Sequence, residues 1–326
     1  MKSKKITIAM ILLVIILSAI SLFVGVMDLT GILQGDFSQL EIVFISRLPR
    51  LLAILCTGIG MSVAGLIMQQ LCMNKFISPT TGATISSAQF GVLLSLIMFS
   101  GASLMQKTIL AFITSILGTW IFVYMIQKIK LKDIIMVPLI GIMFGSVIGA
   151  ITNYFAYKYE VIQQLQATLV GDFSLIIRGR YEIVFLVIPL VIIAFIYANH
   201  FNIVGMGENF SKNLGVNYKV VLFLGLSISA LITASIVVTV GTVSYIGLIV
   251  PNIVAMFRGD NIKSSLLDIA LIGALFVLAC DILGRVLIFP YELPIDLISG
   301  VIGSALFIIL MFKRLSPKKS KRKSVA

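Results

Sequence analysis

The residues of this sequence best suited to polar chemistry are two arginines in the segment SRLPRLL, residues 46–52. Arg47 and Arg50 stand three residues apart around Pro49, immediately before a long apolar run. A guanidinium can bind a carboxylate through two parallel hydrogen bonds, and it can equally reach the lipid headgroups as a membrane anchor. From the residues alone, the anchor is the simpler interpretation of this pair.

A second group of charged residues lies in the segment CDILGRV near the other end of the chain. Asp281 and Arg285 are four residues apart, so in a helix they share one face and can form an ion pair. Ionisable residues inside a membrane usually mark function, and this sequence has few of them. The pair falls near the mouth of a predicted span, where a purely structural ion bridge is an equal interpretation.

Catalytic and metal-binding patterns are missing from the sequence. One histidine is present, and neither HExxH nor GxSxG occurs. The cysteines Cys56, Cys72 and Cys280 lie in apolar runs without metal-ligand spacing, which favours packing roles. The sequence also lacks a phosphate-binding loop of the form GxxxxGK followed by Ser or Thr. We therefore expect no catalytic residue, no metal site and no directly bound cofactor.

The elements that must position these residues are membrane helices. The chain is 59% hydrophobic and 12% charged, with a mean hydropathy of +1.12, far from a soluble composition. We expect an all-α polytopic protein with one domain over residues 1–326: a cytoplasmic N-terminus at 1–5, a body at 6–312 and a basic tail at 313–326. Ten candidate spans are predicted, near 6–27, 48–73, 83–105, 108–127, 134–157, 183–200, 220–240, 243–257, 266–289 and 294–312. The first run resembles a signal peptide but is longer than one, so we interpret it as an uncleaved span.

The distribution of charge predicts the orientation. With both termini in the cytoplasm, 18 of the 25 Lys and Arg residues lie inside and 7 outside, which satisfies the positive-inside rule. The net charge of +12 is then mostly topology, and we expect no nucleic-acid partner. The tail either holds anionic membrane lipid or simply anchors the last span.

Short patterns predict local structure in the loops and spans. In GENFSKNLGV, Glu208 in a first turn and Gly215 near a C-cap favour a short helix on the cytoplasmic face. The outer loop at 158–182 could hold another short helix at QQLQATL. Gly58, Ser62 and Gly65 have the spacing that lets helix backbones approach closely in lipid.

Five strings, taken in order along residues 40–312, resemble the iron-chelate and cobalamin ABC-importer permeases of the FecCD type. These strings are RLPRLLA, AGLIMQQLCMNKFISP, GENFSKNLGV, VGTVSYIGLIVPNI and DILGRVLIFPYELPIDLISGVIGSALFIILM. The resemblance implies a ten-helix permease of the FecCD/BtuC-like fold in the cytoplasmic membrane of a bacterium. It also implies a second permease subunit, identical or different, two separate ATPase subunits that hydrolyse ATP, and an extracytoplasmic substrate-binding protein.

The resemblance also implies roles for particular residues. Arg47, Arg50 and Arg285 would pair with glutamates of the binding protein, for which a planar guanidinium is suited. The loop after the sixth span would dock on the ATPase. Its residues here are Gly207, Glu208, Leu214 and Gly215.

Departures from the family pattern bear on the cargo. The string after the second span is NKFISPTTGATISSAQFG, and Asn252 stands where many members have a histidine. Both variants resemble the branch that handles ferric siderophores of the petrobactin or anguibactin kind, which places cobalamin lower. Ser78, Thr80 and Thr81 could line the inner passage. Alternatively, Ser78, Pro79 and Thr80 could form a cap and turn before the third span.

Three rival functions remain open at this point. A secondary carrier driven by an ion gradient would normally carry mid-membrane charges, which are scarce here. A membrane-embedded enzyme would need a catalytic constellation. An importer for haem, manganese or zinc would share the docking and coupling sites and differ in cargo.

Overall fold

The computed structural model describes residues 2–25, 41, 43–99, 101–128, 135–258 and 262–315. These residues form twelve α-helices and no β-strand. The helices are α1 Lys2–Phe23, α2 Leu48–Leu71, α3 Thr84–Met98, α4 Leu104–Lys128, α5 Met136–Lys158, α6 Ile162–Leu169, α7 Val187–Val204, α8 Glu208–Asn213, α9 Tyr218–Thr239, α10 Ile246–Arg258, α11 Ile262–Val286 and α12 Ile295–Leu315. A π-helical turn, Val43–Arg47, leads into α2, and a 3₁₀ turn, Glu182–Leu186, leads into α7. The segment 129–134 and residues 316–326 of the predicted tail lie outside the described residues.

The predicted all-helical membrane architecture is confirmed. Within the described ranges, eight helices are long and apolar enough to cross a membrane. Two shorter apolar helices, α3 with 15 residues and α10 with 13, stand at the third and eighth predicted spans. The prediction of about ten spans is therefore approximate. The short helices α6 and α8 occupy the two connections in which short helices were predicted.

The centre of the bundle is α2, which packs against α7, α9, α10 and α11. Its small residues allow this contact. A Cβ atom at Gly58 would overlap the carbonyl group of Gly273 in α11, and one at Gly65 would overlap the backbone of Gly247 in α10. The predicted close approach of helix backbones is confirmed at these two crossings. Tight backbone packing of this kind is a main source of helix association in lipid.

Gly65→Ala is expected to lower the stability of the permease by about 1–3 kcal/mol, because the new methyl group must push α10 away. Gly300→Ala in α12 is the matched control, since a Cβ atom there meets nothing within 4 Å. Thermal unfolding of the purified proteins in detergent compares the two variants. Equal unfolding temperatures would contradict the close crossing of α2 and α10.

The helix α10 carries Pro251 within its length. Proline has no N–H, so the carbonyl of Gly247 one turn earlier lacks its usual helical donor. The side-chain amide of Gln69 in α2 donates to the carbonyls of Gly247 and Leu248, at 3.3 Å each. Asn252 Nδ2 donates to the carbonyl of Lys75 at 2.8 Å. The proline is thus accommodated in a buried helix whose freed carbonyl receives a donor from α2.

The first helix lies at the edge of the bundle, and only 6% of the residues in its apolar stretch are buried. It packs on α11, and a polar cluster near its N-terminal end holds it there. Thr7 Oγ1 donates to Asp268 Oδ1 at 2.9 Å, and Arg258 Nε lies 2.6 Å from Asp268 Oδ2. This cluster joins α1, α10 and α11 at the end predicted to face the cytoplasm.

Candidate functional site

The first candidate site begins where α2 begins. The π-helical turn Val43–Arg47 continues directly into α2, with Pro49 in the first turn. Helical backbone therefore runs without a break from Val43 to Leu71, so Pro49 lies inside a helical stretch and does not mark its start. Arg47 and Arg50 lie about one turn apart in the first part of this stretch.

Arg50 binds two carboxylates from distant parts of the chain. Its Nε and Nη2 donate to Asp281 Oδ1 at 3.2 and 2.7 Å, and its Nη1 donates to Glu292 Oε2 at 2.7 Å. Asp281 comes from α11, and Glu292 comes from the connection between α11 and α12. The side chain of Asp281 is 2% exposed and that of Glu292 is 25% exposed. One edge of the guanidinium is therefore buried, and the other lies beside a carboxylate that solvent can reach.

Arg285 is buried in the interior of the protein, with 3% of the residue exposed. Its Nη2 is 2.5 Å from Asp281 Oδ2, which confirms the predicted pairing of these two residues. The guanidinium also donates to the backbone carbonyls of Ser21 and Val24 at 2.9 and 2.6 Å. The last carbonyls of a helix have no intrahelical donor. Arg285 therefore satisfies the C-terminal end of α1, and this explains its burial.

Arg47 turns toward the same end of α1. Its Nη1 donates to the carbonyl of Val24, and the residue is half-buried. Gly25, where φ is 154°, lies against this guanidinium, and a side chain there would displace it. We call Arg47, Arg50, Arg285, Asp281 and Glu292 the arginine cluster. It holds three positive and two negative groups at the end of the bundle predicted to face outward.

Sequence reasoning anticipated the three arginines and Asp281 but missed Glu292. Glu292 lies in the string YELPID, which carried the resemblance, yet nothing in its spacing indicated an arginine partner. The contact joins positions 242 residues apart, and no periodic pattern reports a pairing of that range.

The second candidate site is the short helix α8 at the opposite end of the bundle. Gly207 precedes it with φ of 107°, and Glu208 occupies its first turn. After the helix, Gly215 has φ of 72°, and its N–H donates to the carbonyl of Lys212 while Val216 N–H donates to that of Ser211. These two bonds form a Schellman motif, which requires a left-handed residue at the position of Gly215. The prediction of a short helix ending at a glycine is confirmed.

The outward face of α8 carries apolar side chains. Phe210 is 47% exposed and Leu214 is 54% exposed, and they are four residues apart on one face. Ser211, on the inward side, is buried and donates to the carbonyl of Gly207 at 2.8 Å. Lys212 and Glu208 form an exposed ion pair at 2.9 Å. Hydrogen bonds and an ion pair within α8 thus stabilise the helix, and Phe210 and Leu214 form an exposed apolar ridge on it. Phe210 was not singled out from the sequence, although it is the one aromatic residue of the string GENFSKNLGV.

Ser78, Thr80 and Thr81 form a turn before α3. Ser78 Oγ lies 2.6 Å from Thr80 Oγ1, and Thr81 Oγ1 accepts from the N–H of Ser78 at 2.9 Å. Ser78 is buried. The helix starts later, at Thr84, so the turn is as predicted but the cap is not. The preceding residue Ala83 has φ of 60° and makes no side-chain cap.

A polar cavity of about 480 Å³ lies between α3, α5, α6 and the start of α12. Amide side chains enter it from three helices, namely Gln89, Asn153 and Gln166. Thr242 and Asp296 also line it. This cavity lies near the end of the bundle that holds α6, and the sequence did not predict it.

Comparison with known proteins assigns this chain to a family. Residues 7–313 match the model of the FecCD transport family. The petrobactin import system permease protein YclN of Bacillus subtilis (strain 168) is 49% identical over 93% of this chain and 96% of its own length. The ferric-anguibactin transport system permease protein FatD of Vibrio anguillarum is 36% identical over 94% of this chain and 98% of its own. These relatives confirm the predicted resemblance to the petrobactin and anguibactin branch.

A solved structure supports the same assignment. A metal-chelate type ABC transporter in an inward-facing conformation superposes with a TM-score of 0.80 at 26% identity, covering 95% of this chain and 99% of that one. Both the length of the family match and the agreement of the fold leave a single assignment: this multi-pass membrane protein is a member of the FecCD transport family.

Proposed function

We propose that this chain is the permease subunit of a binding-protein-dependent ABC importer for ferric siderophores. The observation that carries the proposal is the 49% identity, over nearly the whole of both chains, with a petrobactin permease. The 36% identity with a ferric-anguibactin permease supports a chelated-iron cargo in general. Cobalamin and haem are the alternative cargoes, and the identity with siderophore permeases favours neither of them.

The driving energy comes from a partner. The sequence has no phosphate-binding loop of the P-loop type, and its solved neighbour is an ABC transporter. We therefore propose that two ATPase subunits hydrolyse ATP and that a second permease subunit, identical or related, completes the pathway. We propose that this chain is itself a non-enzymatic subunit in the cytoplasmic membrane of a bacterium. This agrees with its apolar helices and with its family.

The arginine cluster is the proposed docking site for the binding protein. It lies at the predicted outer end and has more positive than negative groups, which favours an acidic partner. Arg47 and Arg50 are the residues proposed to meet carboxylates of the binding protein. Arg285 contributes through Asp281, because its own guanidinium is buried against α1.

The helix α8 is the proposed coupling element. Gly207, Glu208, Leu214 and Gly215 fix a rigid helix with an exposed apolar ridge, and such a helix can transmit a movement of the ATPase to the spans. The amide-lined cavity beside α5 and α6 is the proposed outer part of the cargo passage. Ser78, Thr80 and Thr81 remain proposed for its inner part, in a turn held by their own hydroxyl groups.

Uptake of ⁵⁵Fe-petrobactin by proteoliposomes tests the function. The liposomes contain this chain with its partner permease and ATPase, and the binding protein and ATP are supplied on the appropriate sides. We expect ATP-dependent accumulation of ⁵⁵Fe, and no accumulation with labelled cobalamin or haem. Accumulation driven by an ion gradient without ATP would instead establish a secondary carrier. ATP-dependent uptake of cobalamin or haem alone would overturn the siderophore assignment.

Replacement of the docking arginines is expected to lower binding-protein-stimulated ATP hydrolysis by about tenfold, the effect of a lost interfacial ion pair. Arg47→Gln removes a charge, and Arg50→Lys keeps the charge but loses the fork that meets two carboxylates. Arg178→Gln, at an exposed outer residue, is the control. Basal ATP hydrolysis reports assembly with the ATPase. Unchanged stimulation in both variants would remove the docking role.

A further inference from the structure

Glu292 contributes a contact to the arginine cluster that the docking role does not account for. The two carboxylates that bind Arg50 accept different numbers of hydrogen bonds from it. Asp281 Oδ1 accepts from Nε and Nη2, whereas Glu292 Oε2 accepts from Nη1 alone. Asp281 also pairs with Arg285 and is buried with it in α11. Glu292 lies in the connection before α12, and 25% of its side chain is exposed.

The two carboxylates therefore differ in how readily they can leave Arg50. Releasing Asp281 would strand a buried carboxylate and two guanidinium groups, which is costly. Releasing Glu292 returns one carboxylate to water and uncovers the Nη1 edge of Arg50. The cost is smaller than for Asp281, because a quarter of the Glu292 side chain is already exposed and it has no second arginine partner among the described contacts. Arg50 thus has one permanent partner and one exchangeable partner.

The uncovered edge has a defined chemistry. A guanidinium held by Asp281 presents its remaining N–H donors in a fixed plane, which suits another carboxylate. An incoming carboxylate would replace the charge that Glu292 withdraws, so the cluster keeps its balance throughout. Without Glu292, the same edge would lack a counter-ion between docking events.

We propose that Glu292 is a resident counter-ion that occupies Arg50 in the undocked permease and is displaced by a carboxylate of the binding protein. The inference rests on the proposed docking role of the arginine cluster. It predicts that Glu292 weakens docking, since the partner must first break the Arg50–Glu292 contact. It also predicts that the binding protein is released more easily after delivery, because Glu292 competes for the same edge.

The test is the affinity of the assembled transporter in nanodiscs for its ferric-petrobactin-loaded binding protein. Glu292→Gln and Glu292→Ala are expected to tighten binding by about three- to tenfold, mostly through slower dissociation. Glu182→Gln is the matched control, because this exposed outer glutamate accepts from the N–H of Gly179 and not from an arginine. It is expected to leave the affinity unchanged.

The following results would overturn the proposal that Glu292 is displaced from Arg50. Unchanged or weaker binding by both Glu292 variants means that the glutamate does not compete, and failure of both to assemble means that it is structural. Arg50→Lys separates the two proposals. If Arg50→Lys leaves binding unchanged, the docking role itself fails. If Arg50→Lys weakens binding while the Glu292 variants do not tighten it, docking stands and only the exchange fails.

Discussion

Asp281→Asn is expected to destabilise the permease by about 3–5 kcal/mol, the cost of removing one partner from a buried ion pair. Asp281 is the single carboxylate that contacts both Arg50 and Arg285 among the described residues. An asparagine of the same size leaves two buried guanidinium groups without their common counter-charge. Thermal unfolding of the purified chain, together with the yield of folded protein in membranes, measures the loss.

Two further variants establish the cause. Asp172→Asn removes a carboxylate of the outer loop that accepts from the N–H of Ser174, and it is expected to change stability by less than about 1 kcal/mol. Asp281→Asn combined with Arg285→Gln is expected to cost less than the sum of the single variants by at least about 1 kcal/mol. Additive effects would show that the two residues do not share an interaction.

The sequence alone predicted much of the architecture, because the signals involved are local. Long apolar runs predict the spans, and the Glu208–Gly215 pattern predicts a short helix that ends at a glycine. The largest difference between a predicted and an observed span boundary also has a local cause. The third span was predicted to reach residue 105, but α3 ends at Met98, shortly before Gly101 with φ of 76°. The apolar run simply continues through a turn that only the backbone reveals.

The arginine cluster shows where prediction from sequence stops. The pair Asp281 and Arg285 was readable because its members are four residues apart on one helix. The contact of Arg50 with Asp281 spans 231 positions, and the contact of Arg285 with the end of α1 spans more than 260. Both depend on how α1, α2 and α11 pack, and periodicity carries no information on that. The sequence therefore left open whether Arg285 pairs with Asp281 or with a binding protein, whereas the structure places it inside, paired with Asp281.

Gly215→Arg is expected to abolish siderophore uptake while lowering the stability of the permease by only about 1–2 kcal/mol. A Cβ atom at Gly215 meets nothing within 4 Å, so the new side chain has room within the chain itself. The left-handed φ of 72° costs about 1–2 kcal/mol for a residue with a side chain, confined to the end of α8. The larger effect falls on the partner, because a long charged side chain projects from the surface proposed to enter the ATPase.

Gly215→Asn distinguishes the effect of backbone strain at this position from the effect of a long side chain on the docking surface. Asparagine tolerates the left-handed conformation and is short, so the cap and the uptake are expected to persist. Phe210→Ala tests the apolar ridge directly, since truncating a central aromatic contact costs about 2 kcal/mol of association, on the order of thirtyfold. ATP hydrolysis and ⁵⁵Fe uptake are measured together. Normal uptake by both Gly215→Arg and Phe210→Ala would make α8 a linker, whereas loss of uptake with retained thermal stability assigns it to coupling.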